Sequence, residues 1–223
     1  MKERPIIQGY EIAGRMPVFQ QWGRQAIRNG QKTQTRRPLR KQPLYVDEAP
    51  RYLPNEWCLW DGECSPNGDI VRCPHGKSGD IRVMTEPLIN IDGLAHYLDD
   101  ERRFPAIDNQ TNSYILWRWK PKILSSLFMP YEAARTLTRY TNVRVERVQK
   151  IKPSDCEGEG ITGETLASPV RGQPYEEYSN GDGLIYTSPK LAFAALWDSL
   201  NAKRGYSWES NPYVWVVEFE RIK

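Results

Sequence analysis

Residues 30–38 read Gly30-Gln31-Lys32-Thr33-Gln34-Thr35-Arg36-Arg37-Pro38, with three basic side chains and two threonines inside six positions. Their surroundings concentrate charge further. No Asp or Glu occurs from Ile12 to Val46, and the same window holds Arg15, Arg24, Arg28, Lys32, Arg36, Arg37, Arg40 and Lys41. The whole chain carries a net charge of only +3, so this is a local excess balanced elsewhere. A basic patch without counter-charge faces a polyanion such as nucleic acid, or else it is a solvated face with no partner. Composition alone leaves the two readings level.

The elements on either side must hold this stretch in place. Val18, Phe19, Trp22, Ala26 and Ile27 recur at helical spacing. Asn29-Gly30 is a helix stop, because both residue types tolerate a left-handed backbone. Lys32 and Thr35 are therefore predicted just beyond a helix end, on a loop or short strand that Pro38 limits. Such a place is rigid on one side and open to solvent on the other.

From Gln42 to Ser78 the chain reads as a loop-rich insertion, broken by Pro43, Pro50, Pro54, Pro66 and Pro74. Cys58, Cys64, Cys73 and His75 could offer four soft ligands to zinc, but they lack the Cys-x2-Cys pair of structural zinc sites. Free cysteines are the expectation, with no metal. Four cysteines in 223 residues do not make a disulfide scaffold.

Further on, Gly79-Asp80 is a turn into a strand at Ile81–Met84, and Tyr114–Trp119 alternates like a strand. Met129–Arg135 reads as a short helix with Pro130 in its first turn. Asn142–Ile151 is a strand with a bulge or an end near Val148. Ser154 is expected to cap a short helix that stops at Glu159-Gly160. Residues 168–188 read as loop. Ser188-Pro189 then opens the clearest helix, with Leu191, Ala192, Phe193, Ala195, Leu196, Trp197 and Leu200 on its apolar side. Tyr213–Arg221 is apolar on both faces and is predicted to be a central strand. Short strands, two solid helices and no βαβ repeat indicate an α+β fold, as a small closed or half-closed barrel with helices outside.

Mean hydropathy is −0.68 and no apolar run approaches the roughly 18 residues that span a bilayer. The N-terminus has no long apolar core of a signal peptide, so a cytoplasmic protein without a membrane partner is expected. The 8 tryptophans and 12 tyrosines suit a packed core or a base-stacking surface, with Trp22, Trp117 and Trp119 as candidate stackers.

Four stretches, in order, resemble the ASCH-domain proteins of the PUA-like superfamily. These are Gly30-x-Lys32-Thr33-x-Thr35-x-Arg37, then Gly79-Asp80-Ile81-Arg82-Val83. Next comes Asn142–Val148 followed by Ser154-Asp155-x3-Glu159-Gly160-Ile161. The last is Phe193–Asn201 through Asn211–Phe219, which is similar to ASCH-like proteins of tailed bacteriophages and prophages. The resemblance implies one PUA-like domain over residues 1–223, a small barrel flanked by helices, with residues 42–78 inserted. It also implies RNA or DNA binding, or recognition of a modified nucleotide, with Arg28, Lys32, Arg36, Arg37 and Arg40 on phosphates.

One branch of the family resembles amidohydrolases that remove the acyl group from acetylated cytidine, and others resemble nucleases. The catalytic set implied here is Lys32, Thr35 and Glu159. Lys32 would serve as base for the Thr35 hydroxyl, its pKa lowered by Arg36 and Arg37, and Glu159 would carry the proton to the leaving amine. No cofactor is called for. Thr33, Glu86 and Trp119 are further pocket candidates. The chain departs from the phage group after the Gly-Asp turn, where Met84 replaces an arginine and the acid, Glu86, is displaced by one residue. That departure suits a third reading, a phage protein that occupies a host factor in the host cytoplasm.

Overall fold

A computed structural model describes residues 4–47, 56–60, 69–100, 102, 116–166 and 175–223. In chain order the strands of the first half are β1 (Ile6–Ile7), β2 (Tyr10–Glu11), β3 (Gly14–Arg15), β4 (Gln34–Pro38), β5 (Tyr45–Asp47), β6 (Glu56–Trp60), β7 (Asp69–Arg72), β8 (Ile81–Val83), β9 (Leu88–Ile91) and β10 (Leu94–Tyr97). Then follow β11 (Ile123–Leu124), β12 (Leu137–Arg147), β13 (Thr162–Leu166), β14 (Tyr175–Ser179) and β15 (Tyr213–Arg221). The helices are α1 (Gln21–Arg28), α2 (Pro153–Gly158) and α3 (Pro189–Asn201). The chain forms two compact units interleaved in sequence. The first takes Met1–Arg28, Asp80–Arg139 and Arg221–Lys223, and the second takes Asn29–Gly79 and Tyr140–Glu220.

In the first unit β3 runs parallel to β8, and β8 pairs antiparallel with Leu137–Arg139 at the start of β12. A second sheet has the order β10-β9-β11. Its β9–β10 hairpin turns at Asp92-Gly93, both at positive φ (52° and 77°), which matches the twist of the flanking strands. Leu88, Ala95, Tyr97 and Leu124 of this sheet join Ile12, Val83, Met129 and Leu137 in one buried core. Each such aliphatic side chain stabilises the fold by about 1.5–3 kcal/mol.

In the second unit β15 lies between β12 and β4, in register with β4 from Val214↔Pro38 to Glu218↔Gln34. Val214, Trp215, Val216 and Val217 are all buried, which is why this strand shows no alternation. Ser188 caps α3 by accepting from the Leu191 N–H at 3.2 Å, and Ala192, Phe193, Leu196 and Trp197 are buried along it.

Several expectations need correction. The stretch 42–78 is not only loop: β5, β6 and β7 form a three-stranded antiparallel sheet, in which Trp57 meets Trp215 edge-on at 4.8 Å. Residues 168–188 contain β14, paired along its length with β13. Proline and glycine mark turns there, but strand pairing is decided by partners distant in sequence. The cap of α2 is Lys152, with Pro153 in the first turn and Ser154 inside the helix. Met129–Arg135 makes a single 3-10 turn, Tyr131–Ala133. Leu191 and Leu200 are exposed rather than part of the buried side of α3. Of the Tyr114–Trp119 strand, residues 114 and 115 lie outside the described residues, and Leu116 makes an isolated bridge to Leu94.

The α+β class holds. Among the described residues, however, none of the sheets closes into a barrel. No helix is long and apolar enough to cross a membrane.

Candidate functional site

The second unit brings Lys32 and Glu159 together by backbone contacts on both neighbours. The Thr33 N–H donates to the Gly158 carbonyl at 2.8 Å, and the Thr33 carbonyl accepts from the Phe219 N–H at 2.8 Å. This pins the entry to β4 against the end of α2. The approach at 158 is close: a Cβ there would lie 3.2 Å from Thr33 Oγ1 and 3.3 Å from Gln34 Cβ, so a neighbour would have to give way. Glu159 is the C-terminal cap of α2, and Gly160 (φ +97°) turns the chain away. Lys32 Nζ donates to the Glu159 carbonyl at 2.5 Å and to its Oε2 at 2.7 Å. The ammonium thus meets both the negative helix end and the carboxylate placed there.

Both residues are buried, each 4% exposed. Burial pushes the Lys32 amine below its ordinary pKa. The Glu159 carboxylate opposes that shift, while the charges of Arg37 and Arg36 add to it.

Arg36 sits on the same face of β4 as Gln34, and its guanidinium spreads over three carboxylates: Glu159 at 3.2 Å, Asp155 at 3.0 Å and Glu146 at 2.7 Å. It also donates to the Gln34 side chain. Arg144 joins Glu146 at 3.2 Å and reaches Glu218 and Asp155. Burial would raise the pKa of Asp155, but the Lys152 N–H, Arg36 and Arg144 hold it below the usual carboxylate range. One buried donor at the site, Arg36 Nε, has no acceptor among the described residues.

The first unit holds a second set of charges. Glu86, 0% exposed, accepts from Arg28 and, at 2.7 and 2.9 Å, from Arg135. Asp99 receives a two-pronged contact from Arg24 at 2.6 and 2.7 Å, and Asp100 accepts from Arg135 at 2.8 Å. Arg135 also stacks over the Tyr97 ring, 3.8 Å from its centroid.

The expected cations without counter-charge are therefore corrected. Arg24, Arg28, Lys32 and Arg36 each hold carboxylates supplied from outside the acid-free window. Of the other two phosphate candidates, Arg37 is half-buried with its guanidinium pKa pushed down by burial, and Arg40 is exposed.

In the implied catalytic set, Lys32 and Glu159 touch. Thr35 is buried on β4 opposite Val217, with no hydrogen bond to either among the described residues. Thr33 is exposed beside α2, whereas Glu86 and the half-buried Trp119 belong to the first unit. Cys58 and Cys73 are buried, Cys64 lies outside the described residues, and no metal-holding group of His, Cys, Asp and Glu occurs among the described ones.

The partners Asp99, Asp100, Arg135, Glu146 and Glu218 went unnoticed in the sequence. Only the alternation Val143-Arg144-Val145-Glu146 pointed to any of them, since it sets Arg144 and Glu146 on one strand face.

Fold and site together define an α+β protein with a buried lysine–glutamate pair at the junction of a strand and a helix end. Comparison with protein-family models, curated proteins and solved structures found no match for this chain.

Proposed function

We propose that this chain is an ASCH-like protein of the tailed-phage and prophage group, with a PUA-related fold, and that it hydrolyses the acyl amide on the exocyclic amine of an acylated nucleoside. The observation that carries the reading is the 2.7 Å contact between two buried groups, Lys32 Nζ and Glu159 Oε2, with the lysine pKa lowered. A base must be able to lose its proton near neutral pH, and an ordinary lysine does not.

Neutral Lys32 takes the proton of the nucleophile. Glu159, in contact with the ammonium so formed, passes a proton to the departing amine. The nucleophile implied by the resemblance is the Thr35 hydroxyl. Its attack makes an ester on Thr35 and frees the nucleoside amine, and water then cleaves the ester. In sum water adds across the amide, giving a carboxylic acid and the amine.

The test is turnover of N4-acetylcytidine, followed by chromatography. Lys32→Met and Glu159→Gln should each lower it by about 10²- to 10⁴-fold, with the folded state checked by circular dichroism. Absence of turnover in the unaltered protein, or its persistence in folded Lys32→Met, sinks the proposal. Thr35→Val separates the nucleophiles, because turnover that survives it assigns the attack to water.

A second reading, binding without turnover, is favoured by Arg40, an exposed guanidinium with no ion-pair partner among the described residues. It requires affinity for a nucleotide that weakens on Arg40→Ala and with added salt.

A further inference from the structure

The chain has a second acid-free run, from Asn109 to Tyr131. Within it, residues 117–122 read Trp117-Arg118-Trp119-Lys120-Pro121-Lys122. The first acid-free run supplies the comparison. There the cations proved to be neutralised by carboxylates from elsewhere. Here Arg118 reaches Glu132 at 3.1 Å, but Lys120 and Lys122 are exposed and have no ion pair among the described residues. Cations left in solvent at close spacing, with no acid to answer them, are the condition that the earlier run failed to meet.

The segment is also held firmly. The Trp117 N–H donates to the Gly93 carbonyl at 2.7 Å, and the Lys122 carbonyl accepts from the Asn90 N–H at 2.9 Å. Trp117 and Trp119 meet edge to face, with ring centroids 5.0 Å apart. They are half-buried against the core of the first unit, and the Arg118 guanidinium sits 5.1 Å from the Trp119 ring. Aromatic rings fixed in place between exposed cations are what an unpaired nucleic-acid strand requires, since bases stack on the rings and phosphates meet the cations. A duplex keeps its base faces stacked and offers nothing to the rings.

We propose that Trp117–Lys122 is a docking ridge for single-stranded nucleic acid. The inference draws on the nucleotide reading above only for the choice of polyanion. It extends that reading by making a polymer, rather than a free nucleoside, the substrate that the chain recruits.

The test is fluorescence anisotropy with a labelled single-stranded oligonucleotide, a duplex of the same length and vesicles containing phosphatidylserine. The ridge predicts tighter binding to the single strand than to the duplex. The double variant Lys120→Ala/Lys122→Ala should weaken single-strand binding on the order of tenfold at about 0.1 M salt, and flatten the plot of log affinity against log salt by about 1.4. Trp119→Leu should weaken it roughly fivefold or more.

Both lysines are exposed, so the double variant should melt with the unaltered protein and still turn over free N4-acetylcytidine. Failure of the ridge and failure of the hydrolase reading therefore show in different assays. The inference is overturned by an affinity indifferent to the two lysines, by preference for the duplex, or by binding to the vesicles and not to the oligonucleotide.

Discussion

Glu86 and Glu159 are both buried carboxylates held by two cations, one in each compact unit, and they differ in the chemistry of a single partner. Glu86 is gripped by Arg28 and Arg135. Glu159 is gripped by Lys32 and Arg36. A guanidinium keeps its proton at any pH at which a protein folds, whereas an ammonium can be driven to release it. The surroundings push each set in its own direction. Burial alone would lower the Arg135 pKa, but hydrogen bonds to Glu86 and Asp100 raise it, while burial wins at Lys32 and lowers it. The Glu86 cluster is held by cations that stay charged, and the Glu159 cluster by one whose charge burial disfavours.

The largest effect expected from this contrast is on stability. Glu86→Gln leaves two partly buried guanidinium groups facing a neutral amide and should cost about 3–5 kcal/mol, a drop in melting temperature on the order of 10 °C. Molecules that remain folded should keep their turnover. Glu159→Gln should cost less, because Lys32 can shed its proton where the arginines cannot. Equal costs in urea denaturation would break the comparison.

A glycine pair sharpens it next. Gly158→Ala forces Thr33 or Gln34 to yield, at about 1–3 kcal/mol, and spreads the Lys32–Glu159 contact, so turnover should fall with stability. Gly93→Ala meets no atom within 4 Å but strains a left-handed residue, at about 1–2 kcal/mol. Its turnover should stay as it was.

The pH dependence divides the two clusters as well. Burial would raise the pKa of both Asp100 and Asp155, yet their cation and N–H partners hold them below the ordinary value of 3.8. Their stabilisation is present in full above that value and is lost as pH falls through the lowered ones, so both units should weaken in acid. The two clusters part in alkali, where burial raises the pKa of the Tyr97 phenol under Arg135 and lowers that of Lys32. The folded pKa of Lys32 lies below the ordinary 10.5, so between the two values the unfolded chain binds more protons and stability rises with pH. Turnover should rise as pH passes through the folded pKa and level off above it, and a rising limb centred at 10.5 or above contradicts the assignment. The smallest effect belongs to the exposed Arg4–Glu11 pair: Arg4→Ala should change stability by no more than about 1 kcal/mol and turnover not at all.

Much of the local structure could be read before any coordinates. The stop at Asn29-Gly30, the cap at Ser188 and the unalternating Tyr213–Arg221 strand each depend on residues within one turn or one strand. The β9–β10 hairpin was equally legible in Ile91-Asp92-Gly93-Leu94, a turn dipeptide between apolar runs, and was overlooked. The β13–β14 pairing was harder, because nothing in a strand's own residues names its partner.

The sequence by itself determined where cations accumulate, where the chain must turn, and that Lys32 stands just past a helix end. Only the tertiary structure decided what those cations do. Charge pairing is a matter of distance in space, and the carboxylates that answer Arg28, Lys32 and Arg36 lie 58 to 127 residues away along the chain. Burial then lowered the pKa of Lys32, and no count of charges along a sequence contains that.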